Sequence, residues 1–132
     1  MNKLTKGQIN EVNDAVIEIM PVPEWGGEIY VRSITAAERG LIEQEAAKFK
    51  ETKGKGDVAR TFTLRFAALS ICDEKGVRLF SDDEISILAK KSAKVISRIA
   101  EAAQRLSGFT KKDLEELEKN SVEARPEDSR TV

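Results

Sequence analysis

The chain has 132 residues, of which 40% are hydrophobic and 34% charged, with 22 lysines and arginines against 23 acidic residues. This length predicts one domain. The near-neutral charge argues against a partner bound mainly through its phosphates, which requires a concentrated basic face. No run approaches the roughly 20 apolar residues of a membrane-spanning helix, and the N-terminus lacks the apolar core of a signal peptide. We therefore expect a small cytoplasmic protein that contacts neither nucleic acid nor membrane.

The missing residue types exclude several kinds of site. The chain contains no histidine, which removes the commonest general base, the commonest metal ligand and every Ser/His or Cys/His pair. Cys72 is the only cysteine, so an internal disulfide and a thiolate metal site are excluded too. Aromatic residues make up only 5% of the chain, which predicts an aliphatic, alanine-rich core of packed helices. We expect no enzyme, no metal and no cofactor.

The N-terminal part combines a polar lead-in with a predicted β-hairpin. Residues 1–12 are polar and weakly periodic, and we expect a flexible lead-in. Residues 15–20 and 28–33 are rich in β-branched and aromatic residues, and residues 21–27 between them (PVPEWGG) indicate a wide turn. Because an isolated hairpin is only marginally stable, one of its faces should pack on the helices that follow.

Local capping and turn signals predict five helices. They should begin near Thr35, Asp57, Ser81, Ser92 and Thr110. The second helix should follow a break at residues 53–56 (KGKG) and place Val58, Phe62, Phe66 and Leu69 on one stripe. A turn at residues 73–76 should close a short hairpin between residues 70–72 and 77–79. Gly108 stands where a left-handed helix cap is needed.

These elements define the predicted architecture. The fold class is α+β and mainly helical, with the N-terminal hairpin packed on a bundle of about five short helices. Residues 13–119 should form a single globular domain. Residues 120–132 should be a disordered tail, because they contain a proline, alternating charges and no apolar face.

Three sequence features could carry chemistry, and each has a simpler explanation. Residues 82–84 (DDE) could hold a metal, but they directly follow Ser81, and carboxylates favour the first turn of a helix. Residues 53–56 lack the spacing of a phosphate-binding loop and do not follow a strand. Cys72 has no evident basic partner and is better explained as a small buried core residue.

Trp25, followed by two glycines, is the one feature with an open functional interpretation. It could cover one end of the core. It could also anchor a partner, since tryptophan is enriched at binding hot spots. The sequence does not decide between these interpretations.

The order of the signals resembles a family of phage tail assembly chaperones. Residues 22–35 (VPEWGGEIYVRSIT) resemble the family's opening motif, a short strand followed by a threonine that begins a helix. Residues 69–76 and 79–82 resemble its mid-chain turn, and residues 106–110 and 116–120 resemble its close. Each piece is short, but their order and spacing extend the resemblance over roughly residues 15–120.

The resemblance implies a role in building the tail of a long-tailed phage or prophage. Such chaperones bind the tape measure protein in the host bacterial cytoplasm and are absent from the mature virion. A longer form made by ribosomal frameshifting recruits the tail tube protein, and this chain would be the short form. Self-association is left open. The family offers no catalytic residues to carry over.

Two sets of site residues follow from these hypotheses. Residues predicted to contact a partner are aromatic: Trp25, Tyr30, Phe62 and Phe66. Residues whose codons could form a −1 slippery heptamer are Glu118, Lys119 and Asn120, because GAA-AAA-AAC encodes them and contains A-AAA-AAC in the required frame.

The alternative function is that of a small helical DNA-binding regulator, because short helices joined by tight turns can form a helix-turn-helix. The nearest approach to a basic recognition face is Lys90, Lys91 and Lys94.

Overall fold

The computed structural model describes residues 1–51 and 62–122, which form three strands and six α-helices. In chain order they are α1 Lys6–Glu11, β1 Ile17–Val22, β2 Gly27–Arg32, α2 Ala36–Glu51, α3 Phe62–Ser70, β3 Ile71–Cys72, α4 Ile85–Ala89, α5 Ala93–Leu106 and α6 Lys111–Val122. Short 3₁₀ turns occupy Pro23–Trp25 and Asp82–Glu84. The predicted α+β, mainly helical class with an N-terminal hairpin is confirmed.

The hairpin forms part of a three-stranded antiparallel sheet with strand order β1-β2-β3. Six residue pairs join β1 to β2, from Ile17 opposite Arg32 to Val22 opposite Gly27. β3 adds two pairs on the other side of β2, one of them Tyr30 opposite Cys72. The short hairpin after Cys72 is confirmed, because Cys72 bridges Arg78. Its pairing with the N-terminal hairpin was not predicted.

The prediction of a wide turn in the first hairpin is wrong. β1 continues through Pro21 and Val22, so only residues 23–26 connect the two strands. Gly26 closes this connection at a φ of 80°, a left-handed conformation that strongly favours glycine. Pro21 is tolerated inside the strand because β1 lies at the edge of the sheet.

The core lies between the sheet and helices α3 and α5. Met20, Val22 and Val31 point into it from the sheet. The buried residues of α5 are Val95, Ile96, Ile99, Ala100, Ala102 and Ala103, as an aliphatic and alanine-rich core requires. Every residue of α3 from Arg65 to Ser70 is buried. The core therefore surrounds α3, which lies against α2, α4 and α5.

Four of the five predicted helix starts are confirmed, those near Thr35, Ser81, Ser92 and Thr110. The Thr35 hydroxyl accepts from the Glu38 backbone N–H at 3.1 Å, and the Glu38 carboxylate accepts from the Thr35 N–H at 2.9 Å. Gly108 adopts the predicted left-handed cap, with a φ of 79°. The start near Asp57, residue Val58 and the break at residues 53–56 lie outside the described residues.

Both ends of the chain contain more helix than was predicted. α1 is an additional helix, which begins after Thr5 with a capping box completed by Gln8, and none of its residues is buried. The flexibility of residues 1–12 stays a prediction. α6 continues to Val122, beyond the predicted domain end at residue 119, because no glycine or proline follows before Pro126. The rest of the predicted tail, residues 123–132, lies outside the described residues.

A buried arginine joins α3 to its neighbours. The Arg65 side chain is only 3% exposed, and its Nε donates to Glu45 of α2 at 2.9 Å. Its Nη1 donates to Asp82 Oδ1 at 2.7 Å, and Arg78 contacts the same oxygen at 3.1 Å. Burial acts to lower the pKa of Arg65, but the hydrogen bond and charge of Asp82 and the charge of Glu45 raise it overall. Arg65 therefore stays charged and needs both carboxylates.

Replacing Asp82 by asparagine should destabilise the fold. The neutral amide removes the charge beside Arg65, but the carboxylate is 45% exposed, so solvent screening limits the loss. We expect the free energy of unfolding to fall by about 1–2 kcal/mol, measured by urea denaturation followed by circular dichroism. Asp83→Asn is the matched control, because Asp83 is exposed and forms no ion pair within the described ranges.

The difference between wild type and Asp82→Asn should also depend on pH. Hydrogen bonding to Arg65 lowers the pKa of Asp82 in the folded state. The stabilisation is therefore present above the unfolded-state pKa, about 4, and is lost as the pH falls through the folded-state value. A difference that stays constant down to about pH 2 would contradict this assignment.

Candidate partner-binding surface

The solvent-facing side of the sheet carries exposed apolar side chains. Ile19 lies directly opposite Tyr30 in the β1–β2 pair. Because Met20 and Val31 beside them point into the core, these two side chains point away from it. Ile19 is 52% exposed and Tyr30 is half-buried. Leu79, which is 54% exposed, follows the short hairpin, and we call Ile19, Tyr30 and Leu79 the outer sheet surface.

A shallow groove crosses this surface. Tyr30, Cys72 and Leu79 contribute to its lining, and Glu28, Asp73, Glu74 and Lys75 supply charged groups around it. The Asp73 carboxylate accepts from the backbone N–H groups of Lys75 and Val77 at 2.8 and 3.0 Å, and these hydrogen bonds hold the turn at the end of the groove. They also lower the pKa of Asp73, so the carboxylate stays ionised at neutral pH. The surface is thus apolar with a mainly acidic rim.

Trp25 lies at the tip of the first hairpin, as the last residue of its 3₁₀ turn, and is 37% exposed. The tip is tied to α5, because the Glu24 carboxylate accepts two hydrogen bonds from Arg98 at 2.8 and 3.0 Å. The Arg98 side-chain hydrogen bond lowers the pKa of Glu24 to about 2. Trp25 is therefore held on an ordered turn with more than a third of its side chain accessible to a partner.

The four aromatic residues predicted to bind a partner do not form one surface. Trp25 and Tyr30 lie on the first hairpin. Phe62 is half-buried in a separate groove between α3, α5 and α6, beside Ala100 and Leu114. Phe66 is fully buried, and its ring packs edge-to-face with a neighbouring ring at a centroid distance of 5.1 Å. Phe66 is therefore a core residue that a partner cannot reach in this structure.

Sequence reasoning missed Ile19 and Leu79. The run from residue 15 to residue 20 is apolar at nearly every position, so its exposed and buried faces could not be told apart by alternation. Glu18 was the available signal. A glutamate between two isoleucines shows which residues share a face of the strand, but it suggests that the glutamate faces solvent. Glu18 instead points to the α5 side, where Arg105 binds it.

The other candidate chemical groups have structural roles. Asp82 binds Arg65 and Arg78, and the described part of the chain contains no group of three or more His, Cys, Asp or Glu placed to hold a metal ion. Cys72 is buried as predicted, and this burial raises the pKa of its thiol. Residues 53–56 lie outside the described ranges. No helix within those ranges is long and apolar enough to cross a bilayer.

The arginines on the exposed side of α5 are already paired with the hairpin. Arg98 binds Glu24, and Arg105 binds Glu18 at 2.8 and 3.2 Å. Lys90, Lys91 and Lys94 are exposed near the start of α5. A DNA-binding face built on α5 would have to give up these two ion pairs, which weighs against the alternative function.

An exposed apolar surface with a charged rim, carried by a small α+β domain, is typical of a protein-binding protein. The sequence model of the family described as phage tail assembly chaperone matches residues 13–120, and the chain belongs to this family. No curated protein and no solved structure matches the chain.

The burial of the two aromatic residues predicts different effects on stability. Phe66→Ala should lower the free energy of unfolding by about 3–5 kcal/mol, because it leaves a cavity beneath Phe109. Trp25→Ala should cost less than half as much, because its side chain is already partly solvated. Urea denaturation followed by circular dichroism measures both. Equal losses would show that Trp25 has a core role.

Proposed function

We propose that this phage tail assembly chaperone binds the tape measure protein through the outer sheet surface and through Trp25 at the tip of the first hairpin. The observation that carries the proposal is a group of accessible apolar side chains on the sheet, at its hairpin tip and just after the short hairpin: Ile19 at 52%, Trp25 at 37% and Leu79 at 54%. Large contiguous apolar patches on soluble proteins mark interaction sites. A long client that aggregates through its own apolar residues would be shielded by such a surface.

The setting of this interaction is part of the proposal. The chaperone would act in the host bacterial cytoplasm, before the tail tube polymerises around the tape measure protein, and would not remain in the mature virion. Family membership supports this setting in general terms. The protein would act by binding, without catalysis, cofactor or nucleic acid.

Substitutions on the outer sheet surface should weaken client binding without unfolding the protein. The double variant Trp25→Ala/Leu79→Ser removes two accessible apolar side chains. We expect its affinity for the tape measure protein to fall about tenfold, equivalent to about 1.4 kcal/mol. Co-expression followed by measurement of soluble tape measure protein, together with a pull-down, tests this expectation.

Ile87→Ser is the matched control, because Ile87 is 45% exposed but lies on α4. It should leave client binding unchanged. Equal effects of the control and the double variant would move the binding site elsewhere. A wild-type protein that fails to keep its cognate tape measure protein soluble would contradict the proposed function itself.

We also propose that this chain is the short product of a frameshifting gene and that the longer product recruits tail tube subunits. The slip would occur in the codons of Glu118, Lys119 and Asn120, directly after Leu117, which is buried. These codons lie within α6, which continues to Val122. A slip there would still keep Leu117 and everything before it in both products.

The nucleotide sequence tests this proposal directly. We expect GAA-AAA-AAC or a close variant at residues 118–120, followed by an open −1 frame. A −1 frame that closes within a few codons, or codons that cannot re-pair after slipping, would rule out this site. The codons of Lys111 and Lys112 are a weaker candidate, because a slip there would remove most of α6 from the longer product.

A further inference from the structure

The outer edge of β1 is unpaired within the described part of the chain. Ser33 N–H donates to Val16 O at 2.8 Å, which fixes the alternation of hydrogen bonds along the hairpin. Val16, Glu18 and Met20 thus direct their backbone groups to β2, and Ile17 and Ile19 direct theirs outward. Within the described ranges no strand lies beyond β1. Two residues with backbone groups directed away from β2, Ile17 and Ile19, are enough for a short antiparallel pairing.

Pro21 limits the length of any such pairing. It occupies the next outward-facing position after Ile19, where it supplies a carbonyl group but no N–H. A strand docked on β1 can therefore exchange full pairs of hydrogen bonds at Ile17 and Ile19 but not at Pro21. This restriction favours a short, closed contact over an extended one.

We propose that a second copy of this chain pairs antiparallel with β1, about a twofold axis that passes beside Glu18. This arrangement places Ile17 of each copy opposite Ile19 of the other, so that both outward-facing residues exchange hydrogen bonds. The two sheets would join into one six-stranded sheet with α5 of both copies on the same side. The interface is isologous, so it closes at two copies.

The charges at the axis are compatible with a second copy. The Glu18 carboxylate accepts two hydrogen bonds from Arg105 at 2.8 and 3.2 Å, yet the two side chains remain 41% and 61% exposed. The twofold axis brings together two such pairs. Each glutamate would then lie near two arginines, which offsets the repulsion between the facing carboxylates. A strand that brought a carboxylate to this position without its own arginine would lack this compensation.

The apolar side chains also fit a second copy. Ile17 is half-buried and Ile19 is 52% exposed, both on the outer side of the sheet. Pairing about the proposed axis would put the Ile17 and Ile19 side chains of both copies next to each other. The contact would cover part of Ile19, which both interactions would share, while leaving Leu79 and Trp25 accessible for client binding.

Sedimentation equilibrium of the full chain tests the proposal, with a concentration-dependent dimer as the expected result. Ile19→Pro should weaken the dimer at least about tenfold, because it removes an outward N–H that β2 does not use. Ile19→Thr is its matched control, since it shortens the side chain but keeps the N–H and the β-branch, and it should retain the dimer. Circular dichroism and Trp25 fluorescence verify that the variants are folded.

A charge exchange gives an independent test. Arg105→Glu should abolish the dimer, because it would place four carboxylates at the axis, and Glu18→Arg/Arg105→Glu should restore it. Wild type that remains monomeric over the accessible concentration range would overturn the proposal. So would a dimer that is indifferent to both Ile19→Pro and Arg105→Glu. Loss of client binding but not of dimerisation in Ile19→Pro, with client binding retained in Ile19→Thr, would assign the edge to a client strand instead.

Discussion

The buried guanidinium of Arg65 is the contact on which the arrangement of the other elements depends. It holds α2 through Glu45 and the turn before α4 through Asp82, while α3 itself is enclosed by the core. A charge this deeply buried is stable only with its partners in place. α3 leads directly into β3, so the position of α3 also determines where the third strand meets β2. The Arg65 contacts therefore help to align the sheet and its outer surface with the helices.

The two edges of the sheet differ. On the β3 side the chain returns after a tight turn, and Arg78 bridges Cys72 and so covers the short third strand. On the β1 side the backbone groups of Ile17 and Ile19 face outward. Glu18 and Glu24 nevertheless fasten β1 and the hairpin tip to α5 through Arg105 and Arg98. This fastening holds an open edge in a fixed geometry, which reduces the entropy lost when a partner strand binds.

Local signals predicted the helices well, because helix starts are decided within four residues. The capping boxes at Thr35 and Thr110 and the left-handed Gly108 are examples. Contacts between distant segments could not be predicted in this way. Nothing near Cys72 indicates that it will pair with Tyr30, which lies 42 residues earlier (72 − 30).

The candidate site shows the same limit. Phe62 and Phe66 are four residues apart on one helical stripe, so the sequence treats them alike. They differ because Phe109 packs on Phe66, with Arg39 4.3 Å above the Phe109 ring centre, whereas Phe62 lies at a groove. The turn signal placed Trp25 at a hairpin turn but did not decide between a core role and a partner-binding role. The exposure of Ile19 could be predicted only by knowing which residues of β1 face the core.

The length of α6 has a geometric consequence for a longer product. An α-helix advances about 1.5 Å and rotates about 100° per residue. Leu117 anchors the helix in the core, and the helical path continues to Val122. If the reading frame changes at residue 120, the new sequence begins on a helical stalk whose direction the core has already set. Moving the slip by a single codon would turn the exit of the extension by more than a quarter of a circle and aim it at a different neighbour.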